Sequence, residues 1–368
     1  MSCNVVVIGG GNHHNALGVI RSLGERGYNV VLITIGNLKK HYISSSKYVS
    51  SHWALKDIKE LSSYLLYRCQ PGRTGKEIII SCSDSVTEHL NLYLERLKEH
   101  YYIPGVVTEG SICTIMDKQT MMRVAVKHGI DVPETWCLTS DIKKIKFPCI
   151  TKSKISSHGH KDDIKVYNNH EELSNYLSES TAEIFVQSFI DKKEEIQFIG
   201  CSLNSGNEVI IPGMSRVLRS QPNTNTGFLE YGPVDSFYAE TIEKAKNIIR
   251  EFGYSGLFSF EILRGRDDKV WFLEVNFRND GNAWCATKAG INLPVIWVKA
   301  CLGEDYCDEL KEPKRILMMP EFQDFKLVLQ HKISFRQWLC DVCKTDFFME
   351  YDKKDLKPFF KYIIDKLM

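Results

Sequence analysis

The stretch Leu257–Pro294, LFSFEILRGRDDKVWFLEVNFRNDGNAWCATKAGINLP, constrains this chain more than any other. Two strand-like runs, Leu257–Leu263 and Val270–Phe277, flank the turn-forming Arg264-Gly265-Arg266-Asp267-Asp268, a pattern that predicts a β-hairpin. Side chains two apart on a strand share a face, so Glu274 and Asn276 point the same way and Glu261 can meet them across the hairpin. Two carboxylates and an amide oxygen are hard donors, the set that suits Mg²⁺ while leaving positions for water and phosphate. Arg278, two residues on, adds a cation to that face. The same residues also suit a plain hairpin with solvated acids, so the reading turns on what stands upstream.

Composition narrows the class. A chain of 368 residues, 43% hydrophobic and 25% charged, reads as a soluble globular protein of several domains. A net charge of +1 supplies no field for nucleic acid or an anionic membrane, and no apolar run is long enough for a span. The opening MSCNVVVIGGGNHHN enters a strand at once, without the segments of a secretion signal. The 12 cysteines are scattered; Cys340 and Cys343 form one C-x-x-C, expected to be packing residues of an amphipathic helix. Cys285 likewise reads as packing. A reduced, cytoplasmic protein is expected.

The N-terminal part reads as a βαβ opening: strand Cys3–Ile8, a helix from about Asn15 to Arg26, strand Asn29–Ile35. In a dinucleotide fingerprint the third glycine would fall at His14, and Thr34 ends the second strand where an acid would hold a ribose. A nicotinamide cofactor is therefore not expected. Asn12 and Asn15 stand near a helix start, to touch a carboxylate or to shape the turn. Ser51–Leu66 and Ser85–Leu97 read as helices around strand Glu77–Cys82. Asp84 follows that strand, where open α/β sheets place ligand contacts, but a helix cap is preferred.

Further on, the helix Met116–His128 carries Lys118. Strand Phe147–Lys152 ends in a half-buried lysine that needs an anion. The loop Ser153–Lys161, with Ser156, Ser157 and Gly159, has the small residues and N–H groups to close over phosphate, yet matches neither a P-loop nor a kinase loop. Strand Glu183–Ile190 leads through a turn to Glu195–Phe198. Arg216 and Arg219 suit carboxylate or phosphate, or a plain surface. Ser220–Gly227 reads as a mobile loop, and Thr241–Phe252 as an amphipathic helix.

Taken together, Glu261, Glu274-Val275-Asn276-Phe277-Arg278 and Gly290-Ile291-Asn292-Leu293-Pro294 resemble the C-terminal half of the ATP-grasp fold. Asp117-Lys118, ahead of Gly129-Ile130 and Val132-Pro133, is similar to that superfamily's linker. The run from Gly10 to Gly24 is similar to the opening of its D-aspartate-ligase-like branch. The resemblance covers about Asn4 to Gly303. It implies a mixed α/β and α+β multidomain protein: a Rossmann-like domain over 1–110, ATP-grasp subdomains over 111–195 and 196–303, and a C-terminal extension over 304–368.

The resemblance also implies a site. Lys118 and Lys152 would reach the phosphates of ATP, with Ser156, Ser157 and Gly159 closing over them; this loop has fewer glycines than is usual. Gln187, Ser188, Phe189 and Ile190 would pass along adenine. Glu195, or Glu194 beside it, would hold the ribose hydroxyls. Glu261, Glu274 and Asn276 would hold Mg²⁺, two ions replaceable by Mn²⁺. Arg278 adds its cation on that face, and Arg216 or Arg219, by their bidentate chemistry, would hold the acceptor or steady the acyl phosphate. The implied activity is an ATP-dependent ligase that activates a carboxylate as an acyl phosphate and joins it to an amine, releasing ADP and phosphate. The alternatives are a bicarbonate-activating enzyme of the carboxylase or carbamoyl-phosphate-synthetase kind, and a nucleotide-binding module without turnover. The expected partners are small molecules, an amino acid among them, with the tail covering the domain or forming an oligomer contact such as a homodimer's.

Overall fold

The computed structural model describes residues 4–10, 13–36, 41–69, 75–136, 144–153, 165–179, 184–221 and 224–367. The first unit is built on β1 (Asn4–Gly10), β2 (Asn29–Ile35), β3 (Val49–Leu55), β4 (Glu77–Ser81) and β5 (Tyr101–Tyr102). They form one parallel sheet in the order β3-β2-β1-β4-β5. Helices α1 (His14–Gly24), α2 (Leu61–Arg68), α3 (Asp84–Leu92) and α4 (Leu94–Leu97) connect the strands. Val5 to Ile8 and Ile78 to Ile80 are buried, as continuous β-branched runs are in a sheet covered on both faces.

The expected helix Ser51–Leu66 is a strand in its first part: residues 51–55 belong to strand β3. Its exposed residues, Ser50, Ser51, Trp53 and Ala54, occupy a sheet edge, so it lacks the apolar alternation that marks a half-buried strand.

Helices α5 (Ile112–Ile115) and α6 (Lys118–Lys127) lead to a small antiparallel sheet. Its strands β6 (Thr135–Trp136), β7 (Cys149–Ser153), β8 (Val166–Tyr167) and β9 (Ile184–Ser188) lie in the order β6-β9-β7-β8, beside α7 (His170–Glu179). The third sheet comprises β10 (Lys192–Leu203), β11 (Glu208–Gln221), β12 (Thr224–Gly232), β13 (Gly256–Gly265), β14 (Val270–Asn276), β15 (Ile316–Met319) and β16 (Phe347–Phe348). Its order is β14-β13-β10-β11-β12-β15-β16. Most of the expected loop Ser220–Gly227 is strand, the tip of the long β11–β12 hairpin.

Helix α8 (Ala239–Phe252) buries Ile242, Ala245, Ile248 and Ile249 against Ile196, Phe198, Phe260 and Ile262 of that sheet. Farther along the sheet, Ile199, Cys201 and Leu257 join a core with α1, α9 (Trp284–Ala289) and α10 (Leu293–Leu302). Gly18 allows this approach, since a Cβ there would lie 2.9 Å from the Trp284 Cβ.

The chain ends in α11 (Glu321–Leu329), α12 (Phe335–Lys344) and α13 (Lys357–Leu367). Cys340 and Cys343 are exposed on α12, contrary to the expectation that they pack. The segment before α13 clasps the first unit. Arg21 of α1 is 0% exposed and donates to Asp355 Oδ2 at 3.1 Å and to the carbonyls of Met349, Glu350 and Asp355 at 3.2, 2.8 and 3.1 Å. Its guanidinium also sits 4.9 Å from the Trp284 ring centroid. Asp355 further accepts from Ser46 Oγ at 2.7 Å and the Lys47 N–H at 3.0 Å. Burial and the Glu321 charge push the Glu350 carboxyl well above the usual range, so Asp355 is the counter-charge for Arg21.

Asp355→Ala is expected to cost about 3–5 kcal/mol, because it strands a buried guanidinium. Arg21→Met is expected to cost less, since Asp355 keeps its Ser46 and Lys47 donors. Urea midpoints of the two variants check this; equal losses would contradict it.

Candidate active site

Strands β13 and β14 place Glu261 directly opposite Glu274, and Ser259 opposite Asn276. The register shifts just after Glu261, so Phe272 and Val275 both face the α8 core while Glu274 and Asn276 face away from it. A bulge of this kind re-aims side chains at a site. Glu261 is 5% exposed, and its Oε1 accepts from Asn276 Nδ2 at 2.7 Å and Gln197 Nε2 at 3.1 Å. Burial, then the negative charges of Glu274, Asp280 and Glu195, push its carboxyl well above the ordinary carboxylate range.

Two lysines answer these acids from other elements. Asp117 caps α6 by accepting from the Thr120 N–H at 2.7 Å, which fixes Lys118 as the first helical residue. A lysine is disfavoured there by the helix dipole, and its Nζ instead lies 3.7 Å from Glu274 Oε2. Lys152 extends from β7, where Lys152 pairs with Phe185 of β9. Burial, then the Lys118 charge, lowers its ammonium to about 8 against the opposing pull of Glu274, Glu261 and Glu195. Lys118, Lys152 and the three glutamates therefore share one electrostatic centre.

Arg278 closes the far side. It donates to Asp84 at 3.2 Å, Asp280 at 3.4 Å, the Asn279 carbonyl at 3.1 Å and Asn276 Oδ1 at 3.1 Å. Burial opposes its charge, and Asp84, Asp280 and Glu261 outweigh that and hold it protonated. Asp84 is not the cap of α3; Ser83 is, accepting from the Val86 N–H at 3.3 Å. Asn15 is buried and donates to the Cys82 and Asn279 carbonyls at 3.0 and 2.7 Å, while His13 caps α1.

Several expected residues lie elsewhere. Arg216 pairs with Glu194, Glu230 and Asp235, and Arg219 with Asp324 and Asp341; neither is joined to the Glu261 cluster. Their acidic partners come from distant segments, which short-range pattern does not reveal. Glu194 is engaged by Arg216 at 2.8 Å, Tyr238 Oη at 2.7 Å and Arg264 at 3.2 Å. Burial works against its ionisation, but Tyr238, Arg216 and Arg264 together lower its carboxyl. Glu195, which pairs with Lys192, is the acid whose charge acts on Glu261 and Lys152.

The Gln187 side chain turns inward and donates to Thr135 Oγ1 at 3.1 Å, so it is not presented to a ligand. The Ser188 N–H donates to the Glu134 carbonyl at 2.8 Å and the Phe189 N–H to the Pro148 carbonyl at 3.1 Å. Phe189 keeps its ring exposed. Cys285 is buried in the core. Asn12, Ser156, Ser157 and Gly159 lie outside the described residues.

Sequence reasoning missed Gln197, Ser259, Asp280 and Asn282. Gln197 pairs with Glu261 in register, and its Oε1 accepts from Asn282 Nδ2 at 2.7 Å and Ser215 Oγ at 3.2 Å. Asp280 accepts from Ser259 Oγ at 3.1 Å and the Asn282 N–H at 2.8 Å. The available signal was position: Gln197 stands two after Glu195 on one strand, and Asp280 two after Arg278.

The donor set fits a hard cation. Two carboxylates face each other, the buried Glu261 with amide donors on its Oε1 and Glu274 with the Lys118 ammonium at 3.7 Å, and such a pair of oxygen donors suits a hard cation. Among the described residues no three His, Cys, Asp or Glu side chains converge to hold an ion by themselves. Asn276 presents Nδ2 to Glu261 and Oδ1 to Arg278; its amide must turn over to place oxygen beside the acids.

Comparison with known proteins bears on the fold and on its C-terminal half. The family model described as "ATP-grasp in the biosynthetic pathway with Ter operon" matches residues 234–325, the segment holding β13 and β14. N5-carboxyaminoimidazole synthetase from Staphylococcus aureus superposes with a TM-score of 0.68 at 16% identity, covering 92% of this chain and 87% of that one. L-amino acid ligase from Bacillus licheniformis gives a TM-score of 0.63 at 13% identity, over 86% and 79%. A formate-dependent phosphoribosylglycinamide formyltransferase from Ignicoccus hospitalis is 26% identical over 165 residues, 42% of this chain. The match spans only 40% of that curated relative's length. Over nearly its whole length the chain therefore has the fold of these solved structures, and residues 234–325, which carry Glu261, Glu274 and Asn276, are similar to an ATP-grasp family model.

Proposed function

We propose that the protein is an ATP-dependent carboxylate–amine ligase. The observation that carries this reading is the confrontation of Glu261 and Glu274 with Lys118, Lys152 and Arg278 around one centre. The solved structures of similar fold include ligases and carboxyaminoimidazole synthetases, in keeping with this chemistry.

In this reading Lys118 and Lys152 grip the ATP phosphates. Glu195 accepts the ribose hydroxyls, since Glu194 is committed to Tyr238, Arg216 and Arg264. Backbone at Ile190 reads the adenine edge, because the Phe189 N–H already serves the Pro148 carbonyl. Glu261, Glu274 and, once its amide turns, Asn276 would hold Mg²⁺, which supplies neutralisation of the triphosphate when bound. A substrate carboxylate attacks the γ-phosphorus to give an acyl phosphate and ADP; an amine then attacks the acyl carbon, and phosphate leaves. Arg278, held on several sides, faces the oxygens where negative charge builds. Positioning and electrostatics carry the reaction, with no protein nucleophile. Bicarbonate would meet the same groups as a carboxylate does, so it enters the substrate screen.

The screen measures ADP release from MgATP with each amino acid, with paired amino acids and with bicarbonate, products being identified by mass. A paired requirement with an amide product supports the ligase; bicarbonate dependence alone would move the reading to a carboxylase. ATP binding without any turnover would leave a regulatory module.

Glu274→Gln is expected to lower turnover by about a hundredfold or more. The variant should stay folded, because the partly exposed Lys118 pair it loses is offset by removal of one of two facing carboxylates. An active or markedly destabilised variant would contradict the assignment. A second prediction concerns pH. Lys152 in the free protein loses its proton near pH 8, so ATP binding should weaken as pH rises through that value and be unaffected below about 7. Lys152→Arg, charged throughout, should flatten the KM profile for ATP between pH 7 and 9; a profile unchanged by the substitution would count against Lys152 as a phosphate ligand.

A further inference from the structure

We propose that α12, with the turn before it, is a docking face for the surface of an anionic lipid bilayer. The inference goes beyond the ligase reading and does not depend on it.

Helix α12 sits on the protein by its polar side. Its one buried residue is Asp341, 6% exposed, which accepts from Arg219 of β11 at 2.7 Å and from Gln337 Nε2 at 3.0 Å. Phe335 and Leu339, one turn apart, lie on the side away from Asp341 and are 55% and 47% exposed. Cys343 is exposed and continues the same stripe by another turn. Trp338 braces the stripe from beneath, 5.0 Å from the Phe325 ring of α11 and 6.0 Å from the Phe335 ring. Leu329, at the end of α11, is exposed as well. A helix that buries an aspartate and displays phenylalanine and leucine has its apolar side turned towards something outside the chain.

Charge identifies that partner. Between Lys326 and Lys344 the exposed charged or titratable groups are Lys326, His331, Lys332, Arg336 and Lys344. The one acid in that span, Asp341, is neutralised by Arg219. The next acid along, Asp346, accepts the Leu317 N–H at 2.7 Å. The whole-chain charge of +1 conceals this local excess of bases. A second copy of the same face would set these bases against themselves, which opposes self-association. A bilayer with anionic headgroups offers the opposite sign and an apolar interior together, and a convex helix needs no complementary groove to enter it. At 10 residues α12 is too short to span, and no described helix is long and apolar enough to cross a membrane, so α12 lies along the interface. Helix α13 repeats the pattern, with Phe360 and Ile364 exposed one turn apart and Lys357 on the same side. Both helices are carried by α11, through Phe325 against Trp338 and Phe322 against Phe359 and Tyr362.

The experiment is co-sedimentation of the full-length protein with large vesicles, one set of phosphatidylcholine alone and one with about a third phosphatidylglycerol. Partitioning into the anionic set is expected to be about tenfold stronger or more, and to fall as NaCl rises from about 0.1 to about 0.5 M. Phe335→Ser with Leu339→Ser, or Lys332→Glu with Arg336→Glu, should each weaken it about tenfold or more. Val107→Ser, at an exposed apolar residue elsewhere, should leave it unchanged. All four replaced side chains are exposed, so the variants should melt as the wild type does. Equal partitioning into both lipid sets, no sedimentation at about 1 mM lipid, or no effect of either double variant would overturn the inference. So would a wild-type dimer that Phe335→Ser with Leu339→Ser turns into a monomer, which would make the face an interface between copies of this chain.

Discussion

Two carboxylates that face each other across a hairpin repel, and the buried one has lost the water that would solvate it. Glu261 and Glu274 are in that position, and much of the surrounding structure answers it. Lys118 comes from the start of a helix where its charge is unfavourable, Lys152 from a strand where its charge is desolvated, and Arg278 from the end of β14. Each cation tolerates a cost at its own position that only the acids offset. A cation between the carboxylates would relieve the same repulsion, and this is why a metal-bound triphosphate is the ligand the geometry favours.

Holding these groups together falls to the connections between units. The loop 277–282 is tied to β4 and α1 through Ser81, Cys82 and Asn15, so the parallel sheet positions Arg278 as firmly as β14 does. Trp284, at the start of the next helix, is packed by Gly18 and covered by Arg21. Arg21 is in turn fixed by Asp355 and carbonyls of the C-terminal segment. That tail also completes the large sheet through β15 and β16, which gives it a structural part in the frame around the site.

How much of this was legible in the sequence follows from the range of each interaction. The β13–β14 hairpin was readable because strand period and turn chemistry are local, and the face shared by Glu274 and Asn276 followed from them. The continuous apolar runs of β1, β2 and β4 were equally plain. Strand β3 was not, since an exposed edge imposes no alternation on Ser51, Trp53 or Ala54. The register of Glu194 and Glu195 was ambiguous because β10 carries an irregularity between Lys192 and Glu194. Arg216 and Arg219 looked like ligand-binding cations because their partners, Asp235, Asp324 and Asp341, become neighbours only in the folded chain. Gln197 and Asp280 were passed over for a related reason: an uncharged amide and one more acid acquire meaning only from the atoms they meet.

The central claim is that Glu261 and Glu274 bind a cation together with the triphosphate. It is tested most directly by an experimental structure with Mn²⁺ and a non-hydrolysable ATP analogue, in which anomalous scattering locates the ion. The account predicts a Mn²⁺ peak about 2 Å from carboxylate oxygens of both Glu261 and Glu274, with the phosphates against Lys118 and Lys152. A peak away from this pair, or a triphosphate lying clear of both lysines, would contradict it.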